Sequence, residues 1–393
     1  MELKSNVSFE NTEIAFSSRS NRAIKKARVL FASVGNPIIS KLVTNTAKLA
    51  LALGLPIKGI IKNTVFEVFC GGETIEESKQ TIDTLSKYNV GTILDYSVEG
   101  KETEEAFDNT KVETIKTITN AKNNENIPFC VFKPTGVASL HLLEKIQLGT
   151  SLSDIEQAEF ERTKSRIDDI CKKAFENDVP LLIDAEDSWI QDPVDEIVYT
   201  MMAKYNKSKA IIFNTYQMYR VSSLQNLKNS FQRAVRDGYF LGVKLVRGAY
   251  MEKERERAKL MGYSDPIQPV KQATDEDYNQ ALKFCIDNKQ RINVINCTHN
   301  EYSSYYLALL MEKHGMKNND PRVWFAQLYG MSDNISFNLA KAGYNVAKYV
   351  PYGPVKSVMP YLFRRAEENT SVAGQSGREL TLIKTELKRR AIS

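Results

Sequence analysis

Two arginines side by side, Arg364 and Arg365, are the residues that most directly suggest chemistry. They stand in YLFRRAEEN (361–369), with Tyr361 one turn before them and Glu368 one turn after. At helical spacing Tyr361, Arg364, Arg365 and Glu368 share an arc of about 100°, with Met359, Leu362 and Ala366 on the other side. Adjacent guanidinium groups repel unless an anion neutralises them. A carboxylate held by both would gain bidentate, charge-assisted bonds and a fixed orientation. Read in isolation, RRxxE is better explained as a solvated face on which Glu368 pairs with Arg364. Context has to decide.

Polar residues also recur at the ends of short apolar runs. Lys133 closes PFCVFK (128–133), Asp184 closes PLLID (180–184) and Asn214 closes KAIIFN (209–214). Lys244 and Arg247 lie in LGVKLVRG (241–248), and Thr298 and His299 close RINVINCTH (291–299), with Asn300 next. Gln327 lies in RVWFAQL (322–328) and Tyr349 in YNVAKYV (344–350). Each has an ordinary explanation too. Lys133 and Asp184 would make a structural ion pair, His299 a core histidine, Tyr250 and Tyr349 rim packing, and the acids of DAED (184–187) helix caps.

With NVGTILDY (89–96), the apolar runs number eight, nearly continuous as in strands buried on both faces. Amphipathic, charge-rich segments separate them, among them 153–177, 274–290 and 300–315. Ser153 and Thr274 are the expected N-caps, and Glu156 completes a capping box with Ser153. Eight alternations place the chain in the α/β class as a (βα)8 barrel. An open doubly wound sheet is the runner-up, and the absence of GxGxxG counts against its dinucleotide-binding form. Chemistry in such barrels collects at the C-terminal strand ends, where these polar residues fall. The arginine helix follows the eighth strand through PYGP (351–354). That setting favours the anion clamp: a small carboxylate bound at the barrel mouth.

The rest of the sequence removes other classes. Five cysteines form no CxxC pair, which suits buried thiols in a reducing compartment. Three histidines give no zinc-ligand spacing, so no metal is expected. No phosphate-binding GxxxxGK[ST] loop occurs. A net charge of +5 is mild and says little about partners, and no nucleic-acid partner is expected. LALALGLPI (49–57) is too short to cross a bilayer. Residues 14–66 nevertheless carry nine basic residues and no acid, interleaved with apolar ones. They read either as a helical arm on an anionic membrane surface or as a helix pair packed on the main domain. The expected division is an N-terminal helical arm, 1–66, and a barrel, 67–393.

KLVRGAY (244–250), IDAED (183–187), FNTYQ (213–217), YVPYGPV (349–355) and YLFRRAEEN (361–369) together resemble the proline dehydrogenase family, in particular its monofunctional, mitochondrial-type branch. The resemblance covers roughly residues 60 to 390. It implies a distorted, TIM-like (βα)8 barrel that binds FAD and oxidises L-proline to Δ1-pyrroline-5-carboxylate, with hydride moving from proline C5 to flavin N5 and electrons passing on to a membrane quinone. Carried over by position, Arg364 and Arg365 hold the proline carboxylate with help from Lys133. Leu245, Tyr250, Tyr349 and Tyr361 enclose the ring. Asp184 and Lys244 match catalytic positions, and Lys244 stands near the flavin. Ala185, Asn214, Val246, Arg247, Gly248, Thr298 and His299 match flavin-contacting positions. Many bacterial members have arginine where Lys244 stands.

A related branch prefers hydroxyproline and lacks a tyrosine at the position of Tyr349, so proline is the expected substrate. Two further alternatives are a Schiff-base lyase barrel using Lys133 or Lys244, and a non-catalytic barrel held at a membrane. The chain stops too soon after the arginine helix for a fused aldehyde dehydrogenase, so a separate pyrroline-5-carboxylate dehydrogenase is the expected downstream partner. Early acids (Glu2, Glu10, Glu13) argue against a transit segment. The expected location is the bacterial cytoplasm, peripheral on the inner face of the membrane; in a eukaryote it would be the mitochondrial inner membrane.

Overall fold

The computed structural model describes residues 7–34, 58–98, 102–371 and 375–392. Eight strands close a parallel barrel in sequence order. They are β1 (Val90–Tyr96), β2 (Phe129–Phe132), β3 (Leu181–Ile183), β4 (Ile212–Gln217), β5 (Leu241–Val246), β6 (Ile292–Cys297), β7 (Val323–Leu328) and β8 (Val346–Tyr352). All eight expected runs are strands. β4 continues to Gln217, three residues beyond the Asn214 at which the apolar pattern ends.

The chain forms two compact units, one spanning Lys101–Ala326 and the other Asn6–Gly100 with Gln327–Ser393. In the first, strands from β2 onward pair in parallel, with Asn214 opposite Val243 and Lys244 between Thr215 and Ile295. Phe129 packs edge-on against Phe213 at 5.6 Å and Trp324 at 5.3 Å, filling the space with large rings. Gly242 is required here: a Cβ would lie 2.3 Å from the Ile212 carbonyl oxygen.

Helix Asp154–Asn177 starts with the expected capping box between Ser153 and Glu156. Helix Glu301–Lys313 is capped by the Asn300 side chain, which accepts from Ser303 N. Thr274 is not an N-cap. Its helix runs Lys271–Asp287, starting directly after Pro269 and Val270, and Thr274 is buried one turn inside. Val270 has no capping side chain, so this start left no capping signature in the sequence.

In the second unit β1 and β8 pair from Val90↔Val346 to Tyr96↔Tyr352. The helix Asn21–Val34 buries Ile24, Ala27 and Phe31, one stripe at helical spacing. That stripe joins one apolar cluster with Phe69, Leu382 of helix Gln375–Ile392, and Val358 and Leu362 of helix Val355–Ser371. The described part of the N-terminal region therefore packs on its own unit. Residues 35–57 of the expected arm lie outside the described residues.

Candidate active site

Lys244 lies in β5 and Asp184 directly follows β3. The Lys244 Nζ donates to Asp184 Oδ1 at 2.6 Å, with the two side chains 6% and 15% exposed. An ion pair this far out of water is held by geometry, and losing either partner leaves the other charge desolvated.

The loop carrying Asp184 is tied down residue by residue. Glu186 accepts from Thr135 N at 2.9 Å and from Thr135 Oγ1 at 2.7 Å, which joins it to the turn after Lys133. Gln217 Nε2 donates to the Glu186 carbonyl at 2.7 Å. Asp187 accepts from Lys253 Nζ at 2.7 Å. Ser188 N donates to Glu254 Oε1 at 2.7 Å and its hydroxyl to Oε2 at 2.5 Å. Glu186 and Asp187 thus make cross-loop bonds, and the Asp187 side chain does not cap the short helix Ser188–Ile190 that it precedes. Burial pushes the Glu186 carboxyl up, against the pull of the Thr135 bonds and of Lys133; burial pushes Glu254 up as well.

Arg247, just after β5, is fixed on several sides. It pairs with Asp275 at 2.7 Å, donates to Thr298 Oγ1 at 2.5 Å and to Ser303 Oγ at 3.0 Å, and lies 4.3 Å from the Tyr278 ring centre. Next to it Gly248 has φ +133, and a Cβ there would meet the Tyr219 ring at 2.4 Å. His299 and Ala185 are half-buried near the ends of β6 and β3. Tyr250 precedes helix Met251–Met261, with Lys253 Nζ 5.8 Å from its ring centre.

Three of the expected rim residues occupy the helix-facing side of their strands. Asn214 Nδ2 donates to Asp195 Oδ1 at 2.8 Å, on helix Gln191–Tyr205. Leu245 is fully buried on the face opposite Lys244, and its carbonyl accepts from Tyr278 Oη. Gln327 accepts from Ser336 Oγ at 2.7 Å, on helix Asp333–Lys341. Successive side chains of a strand alternate faces, and these three have the wrong parity. Gln217, two residues on from Thr215, has the parity that Asn214 lacks. Gln217, Glu186 and Glu254 are the residues missed from sequence; continuing the period of two from Thr215, rather than stopping at Asn214, would have reached Gln217.

The second unit holds the other expected substrate residues. Tyr349 in β8 is 6% exposed, and its carbonyl accepts from Tyr329 N at 2.8 Å. Helix Val355–Ser371 carries Tyr361, Arg364 and Arg365, as the spacing requires. Arg365 is buried, with its guanidinium carbon 5.0 Å from the Tyr361 ring centre. Tyr361 was expected to stand apart from the apolar face, but it belongs to the cluster that packs this helix. The side chain of Glu368 lies outside the described residues.

Residues 78–378 match the family model described as Proline dehydrogenase. The chain belongs to the proline dehydrogenase family. It is accordingly an oxidoreductase. A relative named Proline dehydrogenase 1, mitochondrial, from Dictyostelium discoideum is 34% identical over 384 residues, covering 86% of this chain and 67% of that protein. Another, named Hydroxyproline dehydrogenase, from Xenopus laevis, is 33% identical over 365 residues, covering 84% of this chain and 78% of that protein. Among solved structures, proline utilization A from Bdellovibrio bacteriovorus superposes with a TM-score of 0.72 at 19% identity. That likeness concerns the fold and covers 94% of this chain but only 40% of the larger protein.

Proposed function

We propose that the chain oxidises L-proline to Δ1-pyrroline-5-carboxylate, the first step of proline breakdown, and passes the electrons to a membrane quinone. The observation that carries this reading is the buried Lys244–Asp184 pair at the C-terminal ends of β5 and β3, in a barrel of this family. In this reading Arg364 and Arg365 hold the carboxylate with Lys133, and Tyr250, Tyr349 and Tyr361 enclose the ring. Leu245, turned to the helix layer, has no part in it.

FAD is the cofactor of this reading, and the donor set fits it. Arg247, fixed beside the Thr298 hydroxyl, offers an immobile cation to a pyrophosphate. Ala185, Val246 and His299 are half-buried at neighbouring strand ends, and Gly248 adds no side-chain bulk there. Asn214 is engaged with Asp195 instead. When bound, the flavin supplies hydride-accepting chemistry that no side chain has.

The protein's own task is to bind proline in a reactive state. Free proline is a zwitterion, and a protonated amine has no lone pair with which to expel a hydride from C5. Positive charge from Lys133, Lys244 and the arginine pair favours the neutral amine. Its lone pair then forms the C5=N bond as the hydride leaves, and no side-chain nucleophile is required. Lys244 adds a cation that stabilises negative charge arising at the acceptor.

Peripheral membrane contact is supported by the exposed Arg22, Lys25 and Arg28 on helix Asn21–Val34. Among the described residues no helix is long and apolar enough to cross a membrane. A pyrroline-5-carboxylate dehydrogenase activity would consume the product. The hydroxyproline dehydrogenase relative favours a second reading in which the ring carries a hydroxyl; the buried Tyr349 ring would crowd that group. Turnover of L-proline and hydroxyproline with a soluble dye acceptor tests both. Formation of Δ1-pyrroline-5-carboxylate with the higher kcat/KM for proline is expected. A preference for hydroxyproline would select the second reading, and turnover of neither would refute both.

A further inference from the structure

A lysine ammonium is buried in β8 where no reaction needs it. Lys348 is 0% exposed and belongs to neither of the residue sets described above. It lies next to Tyr349, but neighbouring strand residues point to opposite faces, so it cannot share the contacts of the Tyr349 side chain. An apolar side chain would fill the same volume without the cost of desolvating a charge. What only the ammonium supplies is three directed donors.

All its acceptors lie on one turn, residues 328–333, between β7 and helix Asp333–Lys341. Lys348 Nζ meets Met331 O at 2.5 Å, Asp333 Oδ1 at 2.9 Å and Leu328 O at 3.4 Å. The same turn supplies Tyr329 N, which donates to the Tyr349 carbonyl at 2.8 Å. Residues 348 and 349 are therefore fastened to one turn, the first by its side chain and the second by its backbone.

One local bond, from Met331 N to the Leu328 carbonyl at 3.2 Å, closes that turn, and the rest of its support comes from elsewhere in the chain. Ser332 has φ +50, a left-handed conformation that is uncommon for a side-chain-bearing residue. Its N–H donates to Glu379 Oε1 at 2.5 Å, on helix Gln375–Ile392. Arg19 Nε donates to Asp333 Oδ2 at 2.6 Å. Groups from β8, from the N-terminal region and from the C-terminal helix converge on six residues.

We propose that Lys348 is a positioning residue for Tyr349, acting through the turn 328–333. The inference rests on the functional reading above, in which Tyr349 packs the substrate ring. Without the ammonium, the Met331 carbonyl and Asp333 Oδ1 lose their Lys348 donor, the Leu328 carbonyl keeps only the Met331 N–H, and the turn relaxes. The Tyr329–Tyr349 backbone bond then weakens and the aim of the tyrosine ring broadens. Small displacements of a positioning group are costly because binding depends on its placement.

The test uses Lys348→Met in the full-length, FAD-loaded protein, with Arg19→Gln as a milder variant should the first fail to fold. Expected for either are faster amide exchange at Tyr329 with Lys244 exchange unchanged, and a KM for proline raised roughly tenfold at nearly constant kcat. The ratio of hydroxyproline to proline kcat/KM should also rise. Unchanged KM and substrate ratio in a variant with lowered thermal stability would make Lys348 merely structural and overturn the proposal. Unchanged Tyr329 exchange would overturn the route through the turn. Wild-type protein inert toward proline would instead refute the functional reading on which the proposal stands.

Discussion

Lys244 and Asp184, 60 residues apart in sequence, meet at 2.6 Å near the ends of β5 and β3. Parallel strands with helical crossovers bring such distant residues to one rim. In this reading the pair keeps a cation beside the reacting centre. Lys244→Met should lower kcat by about 10²-fold, the usual cost of removing one electrostatic stabiliser, with a much smaller change in KM. Steady-state kinetics with a dye acceptor measure both. An unchanged kcat would remove Lys244 from the chemistry.

Arg364 and Arg365 are assigned to the carboxylate. Charge-assisted hydrogen bonds of this kind contribute roughly 1.5–3 kcal/mol each, so Arg364→Met or Arg365→Met should raise the KM for proline by about 10- to 100-fold. Bound flavin, read from absorbance of the purified variant, should be retained. Loss of flavin at unchanged KM would mean that the helix serves a different ligand.

Glu254 fixes the loop of Asp184 from a distance. It is fully buried and accepts both Ser188 donors. Glu254→Ala leaves a buried N–H without an acceptor, a loss of roughly 1–3 kcal/mol. Thermal unfolding should show that loss together with a reduced kcat. Glu254→Gln keeps an acceptor for Ser188 N and should restore much of both.

How much of this could be read from the sequence depends on the feature. The strands were legible because buried parallel strands are apolar on both faces. The Ser153 cap was legible because its partner Glu156 is local. The facing of Asn214, Leu245 and Gln327 was not, since parity depends on where each strand enters the barrel. The long-range partners of Glu186, Glu254 and Lys348 were equally hidden. Each lies in a separate segment that only the closed barrel or its packed helices bring near. Tyr361 shows the same limit, because a helical wheel gives its angle but not what packs against it.

Stability should carry a pH signature from the C-terminal helix. Burial, with the charge of Asp333 adding, raises Glu379 from its ordinary 4.5 to about 7. Between those values the folded protein holds a proton that the unfolded chain has released. The contribution is full below pH 4.5 and is lost as pH rises through about 7. Glu379→Gln removes this titration. Its stability relative to wild type should rise on going from about pH 5 to about pH 8, by on the order of 3 kcal/mol. Urea unfolding at both pH values measures it, and a constant difference would contradict it.

The central claim is that this barrel takes electrons from proline. Anaerobic mixing of the FAD-loaded protein with L-proline tests it directly. The account predicts loss of the oxidised flavin absorbance with stoichiometric formation of Δ1-pyrroline-5-carboxylate, and no bleaching by carboxylates that lack a ring nitrogen. A bound flavin that stays oxidised in saturating proline would contradict it.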